Sequence, residues 1–291
     1  MSTDAMALSE PVPGISPEIY STRDFEQVAR IVYETAGIVL PQGKAMLVYS
    51  RLAPLVRSSG LVTFGRYIDL LGRDRDELER TVAALTTNHT FFYREAHHFE
   101  HFAQVTRPRI MARLERREAV RIWSAGCSSG EETWSLVMTL LGPDKGAGMK
   151  IAEGNVLVLA SDIAPHAIER GEAAIYSEKD LAPVPEALRR CWTEGLRDGR
   201  QHLCETARSI VRFRPLNLLG EWPMRGRFDA IFCRNVMIYF DTPTKELLVQ
   251  RFADALLPGG FLYIGHSERV TGPATAMLEL VGPTIYRRYE A

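Results

Sequence analysis

The sequence predicts an α/β chain: a mostly parallel, doubly wound sheet preceded by a small all-α domain. Three observations carry this. From Ala119 onward, short apolar runs alternate with amphipathic stretches, as strands joined by crossover helices do. Before that, apolar residues recur at helical spacing between glycines. Between Arg121 and Ser135 an apolar run, Ile122 to Ala125, breaks on Gly126 and resumes as an amphipathic pattern from Glu131. Such strand–turn–helix units hold ligands at the carboxyl ends of their strands.

Residues 1–16 are small, polar and rich in proline and glycine, and are expected to form a flexible tail. Residues 17–90 read as a domain of about four helices, with apolar positions at Phe25, Val28, Ile31, Val32 and Ala36, then Met46, Leu47, Leu52, Leu55 and Val56, then Tyr67, Ile68, Leu70 and Leu71. Gly37, Gly43, Gly60 and Gly72 punctuate these runs. Residues 91–118 read as a helical linker and 119–291 as the sheet domain. Its predicted strands are 120–125, 155–161, 210–217, 228–233, 260–265 and 284–288; its predicted helices are 130–141, 165–174, 243–255 and a shorter one at 181–190. The stretch from about 176 to 210 does not fit one crossover helix and is expected to hold a small insertion, with its own turn from Gly195 to Gly199.

The 291 residues are 46% apolar and 24% charged, with a formal net charge of −1, which argues against nonspecific nucleic-acid binding. Four cysteines form no Cys-x-x-Cys pair, so neither a zinc knuckle nor a disulfide frame is indicated. Two of them fall at predicted buried strand ends, which fits a reducing compartment. No apolar run is long enough to cross a bilayer, and the first residues lack a signal-peptide profile, so the expected location is cytoplasmic.

The Gly126–Gly130 turn lacks the glycine spacing of a dinucleotide fingerprint and the Gly-Lys-Ser/Thr of a triphosphate loop. Glu131 and Glu132 at the helix start would repel a pyrophosphate. They suit a ligand with hydroxyls and a positive charge, such as S-adenosylmethionine (AdoMet), met by bare backbone N–H groups. A nucleotide site and a purely structural turn are the alternatives. Asp162 ends the second strand, placed to accept both ribose hydroxyls of an adenosine or to cap the helix at Pro165; the two roles can coexist. Asp229, opening a strand, reads as a surface acid. Arg234-Asn235 breaks an apolar run at a strand's carboxyl end, and burying that pair without partners would cost several kcal/mol, roughly 2–7. A site is the economical explanation. Tyr239 either turns its ring and hydroxyl into the same cleft or is an ordinary half-buried aromatic. Asn88 and Thr90 read as helix-cap or ligand-hydroxyl residues, with Arg94 close behind. His97 and His101 have i, i+4 spacing but no third ligand, so packing or capping is expected there and no metal.

Asn88-x-Thr90-x-x-x-Arg94-Glu95, Ser124-Ala-Gly-Cys-Ser-Ser-Gly-Glu-Glu132, Ala160-Ser-Asp-Ile163, Cys233-Arg-Asn-Val-Met-Ile-Tyr-Phe240 and Gly259-Gly-Phe-Leu-Tyr-Ile-Gly-His-Ser-Glu268 together resemble the chemotaxis receptor methyltransferase family, from about Phe25 to Tyr286. The resemblance implies a Rossmann-like AdoMet-dependent methyltransferase sheet with an N-terminal all-α receptor-docking domain and a small β-subdomain insertion. It implies AdoMet contacts at Asn88, Thr90, Arg94, Glu131, Asp162, Asn217, Leu218, Arg234 and Asn235. Thr133-Trp134 stand where a Pro-Tyr pair is common, and Tyr93 where Phe is usual. Pro54 stands where the family usually has a basic residue, and is expected to kink or restart its helix.

The implied reaction moves the sulfonium methyl to a receptor glutamate, leaving a methyl ester and S-adenosylhomocysteine (AdoHcy). Arg94 would hold the methionine carboxylate or orient the glutamate, Tyr239 would line the methyl path, and Asn217 would meet the adenine edge. The partner is expected to be the cytoplasmic helical bundle of a chemoreceptor, which is acidic. Residues 35–68 contain Lys44, Arg51, Arg57 and Arg66 and no acid. Lys44, Arg51 and Arg57 are the candidate docking residues, Lys44 and Arg51 on one helix face; a merely solvated basic surface is the alternative. Some family members grip a receptor C-terminal pentapeptide through the insertion. The compact turn here predicts that this chain does not, and acts as a monomer. A non-catalytic AdoMet-binding adaptor and a small-molecule O-methyltransferase are the competing functions.

Overall fold

The computed structural model describes Val12 and residues 14–290. The tail expected at 1–16 lies almost wholly outside the described residues. The chain divides into two compact units: one runs to Thr87 and includes Tyr239–Asp241, the other comprises Asn88–Ile238 and the chain from Thr242.

The first unit contains α1 (Thr22–Ala36), α2 (Ala45–Ser58), α3 (Phe64–Leu71) and α4 (Arg75–Leu85). Ser21 and Asp24 form a reciprocal capping box at the start of α1, and Gly37, at φ 68°, closes its end. Phe25, Val28 and Val32 of α1 are buried, as are Val48, Leu52 and Val56 of α2, Phe64 and Tyr67 of α3 and Val82 of α4. Inside this core the Tyr67 hydroxyl donates to Glu77 at 2.7 Å. Helix α2 runs through Pro54 without the expected restart. Pro54 and Ser50 are both exposed, so the carbonyl that Pro54 cannot serve lies on the solvent side of the helix.

The second unit opens with α5 (His97–His101), a π-helical stretch (Phe102–Thr106) and α6 (Arg107–Glu115). Then follow β1 (Val120–Ala125), α7 (Glu131–Leu141), α8 (Lys145–Glu153), β2 (Val156–Asp162), α9 (Pro165–Ala173), β3 (Ile175–Tyr176), α10 (Glu186–Trp192), β4 (Thr193–Gly195), β5 (Gln201–Leu203) and α11 (Glu205–Ser209). The chain continues with β6 (Val211–Pro215), β7 (Phe228–Cys233), α12 (Thr242–Ala255), β8 (Leu256–Ile264), β9 (Leu278–Gly282) and β10 (Ile285–Arg288). The main sheet has the order β6-β2-β1-β7-β8-β10-β9. Its first five strands are parallel, and β10 is antiparallel to both neighbours. The carboxyl ends of those five strands therefore share one edge.

The insertion is a second, antiparallel sheet of order β3-β5-β4. Its β4–β5 hairpin closes over a short turn in which the Leu196 N–H donates to the Arg200 carbonyl at 2.7 Å. Three elements were not legible. Helix α8 contains Gly146 and Gly148, poor helix formers; a Cβ on Gly148 would stand 2.4 Å from the Trp192 ring, so packing dictates glycine there. Strand β9 is an edge with Leu280 and Val281 exposed, and so lacks the alternation of a half-buried strand. Helix α11 is only 5 residues long.

Asp229 corrects the expectation of a surface acid. It is 8% exposed, accepts the Arg121 N–H at 2.9 Å and faces Arg113 Nε at 3.1 Å. Its strand is central and buried throughout, so an acid at its start must find partners inside the protein.

Candidate active site

The carboxyl edge gathers the exits of β1, β2, β6, β7 and β8. Strand β1 leaves through Gly126, at φ 80°, where a Cβ would stand 2.3 Å from Val236 Cγ2. Gly130, at φ 94°, would place a Cβ 2.8 Å from both Gly171 Cα and the Tyr176 hydroxyl. Only glycine fits at these two positions. Four of the backbone N–H groups in this loop are not bare. Those of Gly126 and Cys127 donate to the Ser161 carbonyl at 2.7 and 2.9 Å, that of Ser128 to Asp162 at 2.8 Å and that of Gly130 to the Cys127 carbonyl at 3.1 Å. These four bonds fold the loop against β2 and close its turn. The Ser128 hydroxyl is buried without a hydrogen-bond partner among the described residues. Trp134, one of the departures from the family pattern, is buried and donates to the Gly171 carbonyl at 3.0 Å, bracing α7 against α9.

Asp162 is 8% exposed; besides Ser128 it accepts the Ala164 N–H at 3.0 Å. Ala164, not Asp162, is the N-cap residue of α9. Burial pushes the Asp162 pKa up, and the backbone donors Ala164, Ser128 and Ile163 work against that. Glu131 is also buried and accepts from the Ser129 hydroxyl at 2.7 Å. Its pKa is raised by burial, against that hydrogen bond. The adjacent glutamates diverge: Glu132 accepts from Ser124 at 2.8 Å and from Arg234 Nη1 at 3.1 Å.

Arg234 is 5% exposed, and both of its terminal nitrogens are engaged inside the protein. Its Nη2 donates to the Arg94 carbonyl and lies 3.3 Å from Glu95 Oε2, while Phe99 packs 5.5 Å below the guanidinium. Asn235, at φ 58°, directs its side-chain amide to Glu95 at 3.3 Å. Buried Glu268 accepts backbone N–H groups from Asn235 at 3.2 Å, Met237 at 2.8 Å and Gly265 at 2.5 Å, tying the exits of β7 and β8 together. Buried Arg234 and half-buried Asn235 therefore have partners. Those partners, Glu95, Glu132 and Glu268, are what sequence reasoning missed. An acid is expected somewhere near a buried arginine, but chain position does not say which one turns inward.

Arg94 is half-buried; its Nη1 donates to the His89 carbonyl at 2.9 Å and its guanidinium lies 5.9 Å from the Phe91 ring centre. Asn88 meets His166 Nε2 at 3.3 Å, and Thr90 is half-buried in the same segment. After β6, Asn217 Oδ1 accepts the Leu219 N–H at 3.0 Å. Leu218 is buried, and its carbonyl accepts from Arg251 at 2.8 Å. Asn88, Thr90, Arg94, Glu131, Asp162, Asn217, Leu218, Arg234 and Asn235 all belong to the second unit. Tyr239 groups with the first, where its carbonyl accepts the Val39 N–H at 2.9 Å. His97 donates to the Pro283 carbonyl at 3.1 Å and His101 pairs with the Tyr263 hydroxyl at 3.0 Å; both rings serve packing.

In the first unit Lys44 and Arg57 are exposed, but Lys44 lies in a 3₁₀ turn (Gln42–Lys44) before α2 and shares no helix face with Arg51. Arg51 is engaged too: it donates to the Leu85 and Thr86 carbonyls at 3.0 and 2.8 Å and to the Thr87 hydroxyl at 3.2 Å. A cation at a helix C-terminus satisfies carbonyls that α4 leaves open.

Residues 88–286 match the family model of the CheR methyltransferase SAM binding domain, and residues 23–86 that of the CheR methyltransferase all-alpha domain. The chain belongs to the CheR methyltransferase family. Over 262 residues it is 40% identical to a probable chemotaxis protein methyltransferase of Rhizobium etli, covering 88% of this chain and 96% of that protein. It is 38% identical to chemotaxis protein methyltransferase 2 of Pseudomonas aeruginosa, covering 95% and 96% respectively. It is also 38% identical to the chemotaxis protein methyltransferase of Escherichia coli, covering 91% of each. This is an AdoMet-dependent methyltransferase. The edge residues fit that group: Asp162 has hydrogen bonds from backbone N–H groups and no guanidinium against it, and the Ser128 hydroxyl beside it lacks a protein partner. Buried acceptors of this kind match sugar hydroxyls and an ammonium, and would repel a phosphate.

Proposed function

We propose that this methyltransferase esterifies glutamate side chains on the cytoplasmic helical bundle of a chemoreceptor, leaving glutamyl methyl esters and AdoHcy. The observation that carries the reading is the pair of buried acids Asp162 and Glu131 at the exit of β2 and the start of α7, with the Arg94 backbone held by Arg234 at the exit of β7, in a chain of this family. Bound AdoMet supplies an electrophilic methyl group. The acceptor needs no general base, because a glutamate with pKa about 4.3 is already ionised at neutral pH. What the protein supplies is alignment and removal of water from the nucleophile.

In this reading Asp162 and Glu131 accept the ribose hydroxyls. Asn217 and Leu218 border the adenine, and Asn88 and Thr90 complete the AdoMet contacts. Arg94 holds the methionine carboxylate or orients the incoming glutamate, and Tyr239 donates to that glutamate. Arg234 and Asn235 act from behind, holding the loops. Exposed Lys44 and Arg57 attract the acidic bundle, whereas the bonds made by Arg51 support a structural role instead.

The enzyme acts as a monomer without a pentapeptide tether. The short β4–β5 hairpin supports this, since it offers an added strand little backbone. Titrating a receptor pentapeptide into the enzyme tests it; a micromolar dissociation constant overturns it. The function itself is tested with tritiated AdoMet and receptor-containing membranes. Base-labile methanol release supports ester formation, and base-stable label or none defeats it. Tyr239→Phe is expected to lower turnover more than AdoHcy affinity; equal losses in both remove Tyr239 from the reacting group.

A further inference from the structure

We infer that Glu95 is a positioning residue whose carboxylate latches the Arg94 segment to the exits of β7 and β8 and so fixes where Arg94 stands. The inference rests on the reading above, in which Arg94 serves methyl transfer.

Arg94 lies between two non-glycine residues in left-handed backbone, Tyr93 at φ 57° and Glu95 at φ 56°. Such a segment keeps its shape only when its surroundings over-determine it. Those surroundings converge on one carboxylate. Glu95 Oε1 accepts from the His266 ring at 2.8 Å, from the His266 N–H at 3.3 Å and from the Asn235 amide at 3.3 Å. Glu95 Oε2 faces Arg234 Nη2 at 3.3 Å and His98 Nδ1 at 3.6 Å. The same Arg234 nitrogen donates to the Arg94 carbonyl, and its other arm is held by Glu132. On the far side the Tyr93 N–H donates to Ser135 on α7 at 3.0 Å.

The latch joins loops and leaves the sheet to hold itself. Strands β7 and β8 pair along their own ladder, and the buried carboxylate of Glu268 already ties their exits together. A second carboxylate bridging to the Arg94 segment is not needed for those strands to pair. Its bonds reach the backbone and neighbours of Arg94. Burial opposes the charge on Glu95, but the hydrogen bond from the His266 ring and the charge of Arg234 bring its pKa down to about 2, so the latch is closed throughout the working pH range.

The test is a double-mutant cycle on receptor methylation, with Glu95→Gln made alone and in an Arg94→Lys background. Glu95→Gln keeps the size and loses the charge-assisted bonds, and is expected to lower kcat by about tenfold to a hundredfold. In the Arg94→Lys background the same change should cost less than about threefold, because the residue it positions is already lost. His266→Ala, at an exposed ring, is the variant that is expected to fold in any case, and should show a smaller loss with the same non-additivity. Wild-type kcat in both single variants, or losses that multiply fully in the Arg94→Lys background, would overturn the latch. If the wild-type protein itself forms no base-labile ester, the reading beneath it fails and this inference falls with it.

Discussion

Two aspartates at opposite edges of the same sheet are equally buried, and they are partnered differently. Asp162, at the carboxyl end of β2, and Asp229, at the start of β7, are each 8% exposed, and burial raises the pKa of both. Asp229 is neutralised from within by Arg113, with the Arg121 N–H completing its shell. Asp162 has backbone N–H donors and no guanidinium against it. Burial therefore does not separate an acid with an internal cation from one without. The charge of the partner does, because an acid left without a cation keeps negative potential for a ligand that carries one.

The largest effect should separate the arginines of the two edges. Arg94→Ala is expected to lower receptor methylation at least about a hundredfold with the melting temperature little changed, whereas Arg113→Ala should lower the melting temperature and leave turnover within about twofold. Equal losses of activity in both would erase the distinction. The aspartates themselves come next. Asp229→Ala removes one partner of Arg113, which keeps Glu118 and the Ala119 carbonyl, and leaves the Arg121 N–H without its acceptor; it should cost stability of about 1–3 kcal/mol with AdoHcy affinity intact. Asp162→Ala should weaken AdoMet and AdoHcy binding by about 1.5–3 kcal/mol by calorimetry. Unchanged affinity in a folded Asp162 variant would remove that strand end from the cofactor site.

The smallest effect is one of pH. The Glu95 pKa falls from its ordinary 4.5 to about 2 on folding, so its contribution to stability is present above about 4.5 and lost as pH falls towards 2. The melting temperatures of wild type and Glu95→Gln should accordingly converge as pH is lowered from about 6 to about 3. A constant gap would mean that Glu95 is not held ionised by its partners.

Much of this arrangement is legible along the chain, because it follows from local rules. Strand 120–125 and strand 228–233 coincide with β1 and β7, where mostly apolar runs end on a glycine or on a polar pair. Residues that need glycine at positive φ, such as Gly126 and Gly130, announce a tight turn. The bonds of the Gly126, Cys127 and Ser128 N–H groups were not legible, because their acceptors, Ser161 and Asp162, lie more than thirty residues away. Arg51 was misread for the same reason, its carbonyl partners standing at the end of another helix.

The amino-acid sequence by itself determined the alternation of strands and helices apart from α8, β9 and α11, the glycine turn and the identity of the acids and arginines available to the site. Periodicity and backbone sterics act over a few residues and need no tertiary context. Which acid faces which arginine was decided only by the tertiary structure. Glu131 and Glu132 are neighbours in the chain, yet a helical turn of roughly 100° per residue sends the first towards Ser129 and the second into a buried pair with Arg234. Pairing energies inside a protein depend on distance and desolvation, and both quantities come into existence only when the sheet brings β1, β7 and β8 side by side.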